Sequence, residues 1–244
     1  MNVLVVGAGS MGRWFARTLR AHTDATLAFA DVDSDAAAEA ADAVDGRAVP
    51  TDTDERFDVV CLAVPMPVAE AAIESYADRA TGALVDVSGS MADPLAAMEA
   101  AAPELQRASL HPLFAPENAP GNLPVVTAAG GDLLDTVMGA LSAAGNDTFE
   151  TTAAEHDEAM ETVQAGAHAA VLAYATAFER VPDRFQTPVS AALGDLAEQV
   201  ASGDAHVYAD IQETFDGADR VADAAQRIAD ADREAFTELY EDLR

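Results

Sequence analysis

Histidine is the side chain best suited to proton transfer near neutral pH, and His111 has the most informative position of the five histidines. It follows the predicted strand 107–110 and precedes Pro112, so it is predicted to lie where a β-strand ends. In an open α/β sheet, the carboxyl ends of the strands line the ligand crevice. His111 is therefore the first candidate for a residue that does chemistry.

Two further histidines, His156 and His168, are predicted on the first long helix after position 153. Gln164 and His168 are four residues apart and share one helical face, which makes both candidates for substrate binding. His156 stands between two acidic residues, so it is predicted either to bind substrate or to support the site from the start of the helix. His22 and His206 are interpreted as surface residues.

The chain opens on a pattern typical of dinucleotide binding. The apolar run 2–6 leads into Gly-Ala-Gly-Ser-Met-Gly and then into a segment with helical apolar spacing, which is GxGxxG between a strand and a helix. The first glycine permits the tight turn, the second lets a pyrophosphate approach the backbone, and the third lets helix and strand pack closely. The helix N-terminus presents free N–H groups to the phosphates. The predicted contacts are Gly7, Gly9, Ser10, Met11 and Gly12.

An acidic residue follows the second predicted strand, 25–30, at the distance that the pattern requires. Asp31 would accept hydrogen bonds from both ribose hydroxyls and would repel a 2′-phosphate, which predicts NAD rather than NADP. The alternative is an ordinary glycine loop, with Asp31 capping a helix. The end of strand 58–64 is expected to border the adenosine and the nicotinamide ribose through Ala63, Val64 and Pro65.

The elements that must position these residues fall into two regions. Residues 1–150 alternate β-branched runs with Ala-rich helical segments, which predicts an α/β domain with a Rossmann-type, doubly wound parallel sheet. Residues 151–244 predict a second, all-helical domain with breaks at Pro182, Pro188 and Gly203. Its apolar surface is too extensive for one partner sheet, so we expect a homodimer through this domain. The predicted strands are 2–6, 25–30, 47–49, 58–64, 83–87, 107–110 and 123–127.

The charge of the chain excludes two classes of partner. The 244 residues carry 43 acidic side chains against 13 basic ones, a formal net charge of −30, and every basic residue is Arg. Nucleic acids and anionic membrane surfaces both need clustered positive charge, so neither is expected as a partner. An acidic chain without Lys is typical of a very salty cytosol, where molar salt shortens the Debye length to about 3 Å. An ordinary acidic protein is the alternative.

Cysteine content and the N-terminus point to the cytoplasm. Cys61 is the only cysteine and lies in an apolar run, so neither a disulfide framework nor a cysteine-based metal site is expected, and we expect no metal. No signal peptide opens the sequence, and no apolar run approaches the roughly 20 residues of a membrane helix.

Several segments together resemble prephenate dehydrogenase. The likeness is collinear over essentially the whole chain and is closest to the dehydrogenase portion of the bifunctional chorismate mutase–prephenate dehydrogenases. The segments that carry it are 7–12, Asp86–Ser90 with Pro94-Leu95, His111–Pro116, Glu155–Asp157 with Gln164 and His168, and Thr187-Pro188 leading to 204–211.

The resemblance implies roles for these residues. His111 would accept the hydrogen bond of the substrate's 4-hydroxyl group and take up its proton as hydride departs. A nearby hydroxyl, Ser88 or, slightly preferred, Ser90, would hold the same oxygen and orient the imidazole. Gln164 and His168 would contact the substrate side chain or close the cleft. The family also implies a homodimer.

The sequence departs from the family at two places. Where the family usually has Lys two residues after Ser, this chain has a shifted serine and Met91. Where the family places an Arg for a substrate carboxylate, this chain has Ala191. A dicarboxylate needs a local cation or hydrogen-bonding partners, and Arg180 and Arg184 are the candidates, although both also fit as surface residues.

We therefore expect an oxidoreductase that oxidatively decarboxylates prephenate to 4-hydroxyphenylpyruvate with NAD, in tyrosine biosynthesis. Arogenate is the alternative substrate. A related NAD(P)-dependent reductase of another small acid, such as a pyrroline-carboxylate or imine reductase, shares the layout but does not need His111-Pro112 at a strand end. A non-catalytic NAD-binding regulator is the third alternative, because the family's Arg and Lys are missing.

Overall fold

The computed structural model describes residues 1–179 and 181–243. The chain forms two compact units, Met1–Asp157 and Glu158–Arg244. The sequence predicted a division at 150, whereas the first unit extends into the helix that begins at Ala153. His156 and Asp157 thereby belong to the first unit.

The first unit contains an eight-stranded sheet in the order β3-β2-β1-β4-β5-β6-β7-β8. All neighbouring strands pair in parallel except β6 and β7. The Rossmann-type fold class predicted from the sequence is confirmed. The strands are β1 Asn2–Val6, β2 Thr26–Ala30, β3 Arg47–Ala48, β4 Phe57–Leu62, β5 Ala80–Asp86, β6 Gln106–Leu110, β7 Asn122–Ala129 and β8 Asp147–Glu150.

Alternation along the central strands divides their side chains between two apolar layers. Val3 and Val5 of β1 pack into one layer, and Leu4 and Val6 pack into the other. Helices α1, α2 and α5 cover the first face, and α3 and α4 cover the second. Because both faces are covered, these strands are continuous hydrophobic runs. The helices are α1 Ser10–His22, α2 Ser34–Asp42, α3 Ala69–Tyr76, α4 Ala92–Ala101 and α5 Asp132–Ala143.

Strand β7 runs antiparallel to β6 because of the short connection between them. Residues 111–121 contain only a 3₁₀ turn, Pro116–Asn118, whereas a parallel return needs a longer crossover, usually through an α-helix. This connection begins at His111, so the first candidate residue lies at the turn where the parallel part of the sheet ends.

The second unit is helical, and its helices begin at recognisable sequence signals. Thr187 accepts a hydrogen bond from the Ser190 N–H in a capping box, with Pro188 as the first helical residue of α8. Asp204 and Asp232 cap α9 and α11. A π-helical segment, Glu161–Gly166, joins the helix that starts in the first unit to α7. The helices are α6 Ala153–Met160, α7 Ala167–Ala177, α8 Pro188–Ala201, α9 Ala205–Thr214, α10 Ala218–Asp230 and α11 Arg233–Glu241. None of the helices in the described residues is long and apolar enough to cross a membrane.

Substitution of two valines tests how much burial in the core of the sheet contributes to stability. Val60 of β4 is fully buried, whereas Val32 is 99% exposed. Val60→Ala removes buried methyl groups and leaves a cavity, so we expect the free energy of unfolding to fall by about 2 kcal/mol. Val32→Ala should change it by less than about 0.5 kcal/mol. Urea unfolding without nucleotide, at one fixed KCl concentration, measures both, and equal losses would contradict this description of the core.

Candidate active site

The glycine loop between β1 and α1 is shaped by close backbone contacts. Gly7 has φ +98°, and a Cβ there would lie 2.2 Å from the Ala63 carbonyl oxygen. A Cβ on Gly12 would lie 2.1 Å from the Gly7 carbonyl oxygen. A Cβ on Gly9 would meet no protein atom within 4 Å. Two glycines therefore hold the turn together, and the third leaves open space beside the backbone where α1 begins.

Asp31 ties the end of β2 to this loop. Its Oδ2 accepts a hydrogen bond of 2.6 Å from the Ala8 N–H, and its Oδ1 accepts one of 2.9 Å from the Asp33 N–H. Each carboxylate oxygen retains a lone pair that can accept from a ribose hydroxyl. An open backbone at a helix N-terminus beside this carboxylate fits a pyridine nucleotide, with Ser10 and Met11 at the start of α1.

The end of β4 completes this part of the crevice. The Ala63 N–H donates to the Val6 carbonyl oxygen at 2.7 Å, which places Ala63, Val64 and Pro65 beside the glycine loop. Sequence reasoning overlooked Arg13, whose Nε donates to the Ala8 carbonyl oxygen at 2.8 Å. Its position directly after the last glycine is the signal that could have identified it.

His111 lies in a buried hydrogen-bonded chain with His156 and Asp157. The Nδ1 of His111 is 2.9 Å from the Nε2 of His156, and the Nδ1 of His156 is 2.7 Å from Oδ1 of Asp157. His111 is 7% exposed and His156 is 3% exposed. Of the two roles that the sequence left open for His156, this contact favours support of the site. Asp157 was not among the predicted site residues.

Burial keeps His111 neutral. Desolvation is the main reason that the pKa of His111 falls to about 3, and a charge on His156 acts in the same direction, whereas Asp157 opposes it. At neutral pH the imidazole therefore has a lone pair and can act as a base.

The predicted serines differ in what they contact. The Ser88 hydroxyl lies within hydrogen-bond distance of Oδ2 of the buried Asp86 and of the Ser90 carbonyl oxygen. The Ser90 hydroxyl has no hydrogen-bond partner among the described residues. Burial raises the pKa of Asp86 to about 6, and Ser109, its register partner on β6, and Ser88 act in the opposite direction.

The remaining predicted residues belong to the helical unit. Gln164 lies in the π-helical segment, and His168 in α7 has a buried Nδ1 and packs edge-on against Tyr208, with 4.8 Å between ring centroids. Burial lowers the pKa of His168. Arg184 stacks its guanidinium over Phe185, 5.1 Å from the ring centroid. Arg180 lies outside the described residues.

Ala191, where the resemblance implies an Arg for a substrate carboxylate, lines a cavity of about 800 Å³ in the helical unit. Asp195 and Glu198 also line this cavity, and no cationic side chain does so among the described residues. No described residue of this cavity therefore replaces the positive charge of the missing Arg.

Comparison with known proteins identifies the family. Residues 2–90 match the family described as NADP oxidoreductase, coenzyme F420-dependent. Over 271 aligned positions, the chain is 32% identical to 4-amino-4-deoxyprephenate dehydrogenase of Streptomyces pristinaespiralis, covering 99% of this chain and 89% of that protein. The chain belongs to the prephenate dehydrogenase family. The predicted resemblance to this family is thereby confirmed, whereas the likeness to the bifunctional chorismate mutase type stays a prediction. The protein is an oxidoreductase of the dehydrogenase type with a pyridine nucleotide-binding fold.

Solved structures agree with the fold of this dehydrogenase. Prephenate dehydrogenase of Aquifex aeolicus, in complex with hydroxyphenyl propionate and NAD⁺, has a TM-score of 0.76 at 17% identity, with 99% of this chain and 92% of that chain covered. Arogenate dehydrogenase of Synechocystis has a TM-score of 0.68 at 17% identity, with 100% and 96% covered. At these identities, the likeness shows the fold.

A substitution at Gly9 tests nucleotide binding separately from folding in this dehydrogenase. Gly9→Ala adds a methyl group to space that no protein atom occupies, so the unfolding midpoint should change little. The affinity for nucleotide should fall by roughly tenfold or more, because the methyl group keeps the pyrophosphate from the backbone. Calorimetric titration with NAD and with NADP measures the affinity.

Gly139→Ala is the matched control, because its Cβ also meets no atom within 4 Å but lies in α5. It should leave nucleotide affinity unchanged. If Gly9→Ala binds nucleotide as tightly as this control, the loop does not hold the pyrophosphate.

Proposed function

We propose that the protein catalyses the NAD-dependent oxidative decarboxylation of prephenate to 4-hydroxyphenylpyruvate in tyrosine biosynthesis. The observation that carries the proposal is the buried, neutral His111 at the end of β6, in a chain of the prephenate dehydrogenase family. A neutral imidazole is the group that this oxidation requires beside the carbon that loses hydride.

The reaction balances with two groups leaving the ring. Prephenate loses a hydride from C4, and the ring carboxylate leaves as CO₂, so that the ring becomes a phenol. NAD, when bound, supplies the hydride acceptor and becomes NADH. His111 accepts the hydrogen bond of the 4-hydroxyl group, which raises electron density at C4 and favours departure of the hydride. The shared proton ends on the phenol oxygen, and His111 returns to its neutral form.

We assign the hydroxyl that holds the substrate's 4-oxygen to Ser90 rather than Ser88. A serine hydroxyl has a single proton, and the proton of Ser88 is already used within the pair formed by Asp86 Oδ2 and the Ser90 carbonyl oxygen. The Ser90 hydroxyl makes no such contact among the described residues, so it is available to a ligand.

The preference for NAD over NADP rests on Asp31. Its carboxylate stands at the end of β2 against the glycine loop, where it would accept the ribose hydroxyls and repel a 2′-phosphate. Gly9 and the N–H groups at the start of α1 would hold the pyrophosphate end of the same cofactor, in a turn that Gly7 and Gly12 shape.

Substrate carboxylates require partners on a chain of net charge −30. We propose Gln164 and His168 for the substrate side chain and Arg180 or Arg184 for a carboxylate. Charged hydrogen bonds from a guanidinium are the strongest means available to hold such a group.

The helical unit supports a homodimer. It exposes large apolar side chains that a monomer would leave in water. We propose that a second copy covers them in a cytoplasmic, salt-adapted enzyme. They are Val163, Phe178, Phe185, Val189, Leu196, Val207, Ile228 and Phe236.

Arogenate is the second candidate substrate, and the cavity at Ala191 favours it. Arogenate carries an ammonium group where prephenate has a keto group, and Asp195 and Glu198 line that cavity without a described cation. The name of the Streptomyces relative adds 4-amino-4-deoxyprephenate as a third compound to test.

A substrate assay decides among these reactions. Purified protein in molar KCl is incubated with prephenate, arogenate or 4-amino-4-deoxyprephenate, each with NAD and with NADP, while reduced nucleotide is followed by absorbance. We expect NADH with prephenate and NAD. A higher kcat/KM with arogenate would transfer the proposal to that substrate, and nucleotide binding without reduction of any kind would favour the regulator.

Replacement of His111 tests the chemical role. His111→Asn should lower kcat by about 10²- to 10⁴-fold, because the base is lost, while NAD affinity stays the same. His22→Asn, in an exposed histidine of the same unit, is the control and should retain full activity. If His111→Asn retains most of its turnover, another group is the base.

A further inference from the structure

His111, His156 and Asp157 are linked by hydrogen bonds, and their contacts show which ring nitrogens carry protons. Asp157 accepts on both oxygens from backbone N–H groups at the start of α4: Oδ1 from Met91 at 3.1 Å and Oδ2 from Ala92 at 3.2 Å. Burial opposes ionisation of this carboxyl, but the hydrogen bonds from His156, Met91 and Ala92 lower its pKa overall. The positive end of α4 acts in the same direction. Asp157 is therefore a carboxylate that can only accept.

An acceptor at Asp157 fixes the proton on His156. The 2.7 Å contact between the His156 Nδ1 and Oδ1 of Asp157 requires a proton on Nδ1. Burial lowers the pKa of His111, so a second proton on that ring is disfavoured. With the single proton of the His156 imidazole on Nδ1, its Nε2 has a lone pair, and the 2.9 Å contact then requires the proton on the His111 Nδ1.

The tautomer of His111 follows from this sequence of hydrogen bonds. With its proton on Nδ1, the ring has its lone pair on Nε2, which is then the atom that accepts a hydrogen bond from substrate. The opposite tautomer would present an N–H group to the substrate's hydroxyl and could not take up a proton there.

We propose that His156 and Asp157 are positioning residues that hold His111 in the Nδ1–H tautomer, so that its Nε2 receives the substrate's hydroxyl proton. The role in turnover rests on the proposed function. As hydride leaves C4, the hydroxyl proton moves towards Nε2, and the Nδ1 proton keeps its bond to His156. Asp157 then stabilises the positive charge that is shared by the two rings, and the proton returns to the oxygen as CO₂ departs and the phenol forms.

The same carboxylate also fixes the loop that carries the serines. Because Asp157 holds the Met91 and Ala92 N–H groups, it places the end of segment 88–91 relative to the two imidazoles. Loss of its charge should therefore alter two features together: the orientation of His111 and the position of the Ser90 hydroxyl.

Asp86 is a further acidic group that acts on this pair. Asp86 on β5 interacts electrostatically with His156, and its own pKa is raised to about 6 by burial. Experiments at pH 8 keep Asp86 ionised, so that a change in its charge is not mistaken for an effect of Asp157.

The first test reads the tautomer without substrate. Protein labelled with ¹⁵N-histidine is examined by NMR at pH 8, and His111→Asn identifies the signals of His111 by their loss. We expect a protonated, pyrrole-type Nδ1 and an unprotonated, pyridine-type Nε2. A protonated Nε2 on His111 would overturn the proposal, whether or not the protein oxidises prephenate.

The second test distinguishes a positioning role of His156 and Asp157 from a purely structural one. His156→Gln keeps an oxygen acceptor for the His111 Nδ1–H and an N–H donor for Asp157, whereas His156→Phe keeps neither. We expect kcat to fall roughly 10- to 100-fold in His156→Phe and Asp157→Asn with KM little changed, and we expect His156→Gln to recover a large part of the loss. His22→Gln is the control, since that residue is exposed.

The outcomes distinguish this proposal from the proposed function. Unchanged kcat in His156→Phe, or equal losses in the Phe and Gln variants at equal thermal stability, would overturn the positioning role. Absence of activity with all three substrates in the unaltered protein would overturn the proposed function, while the tautomer in the NMR spectrum would still decide the assignment of His156 and Asp157.

Discussion

Parallel strand pairing is the constraint on which the site depends. Parallel strands end at the same edge of a sheet, so the loops after them lie together although they are distant in sequence. The glycine loop, Asp31 and the serine segment all follow such strands, and His111 lies where the antiparallel return begins. The residues that this edge collects are Gly7, Asp31, Ala63, Ser88 and His111.

Local signals predicted the fold and the nucleotide loop, but they did not predict the hydrogen bonds that complete the site. GxGxxG between a strand and a helix is visible within about 20 residues of sequence. The contact between His111 and His156 joins residues 45 positions apart, and Asp157 reaches Met91 across 66 positions. The periodicity of apolar residues does not predict contacts between positions so far apart. The adjacency of His156 and Asp157 was visible, but their partner depended on how the chain returns to the sheet.

Two arginines of the first unit donate hydrogen bonds to several backbone carbonyl oxygens. Arg13 donates to the carbonyl oxygens of Ala8 and Ala36, and the buried Arg107 donates to those of Ala102, Pro103 and Leu105. In a chain without Lys, these guanidiniums provide hydrogen bonds to backbone carbonyl oxygens, including those of the buried Ala8 and Ala102.

The unequal demands on the three glycines also have a consequence for the history of the protein. Gly7 and Gly12 are required by the backbone itself, whereas nothing in the protein prevents a side chain at Gly9. A lineage that stopped using nucleotide would be free to lose Gly9 early, yet would still retain the other two to keep its fold. Gly9 is therefore the position at which a side chain would signal loss of nucleotide binding without loss of the fold.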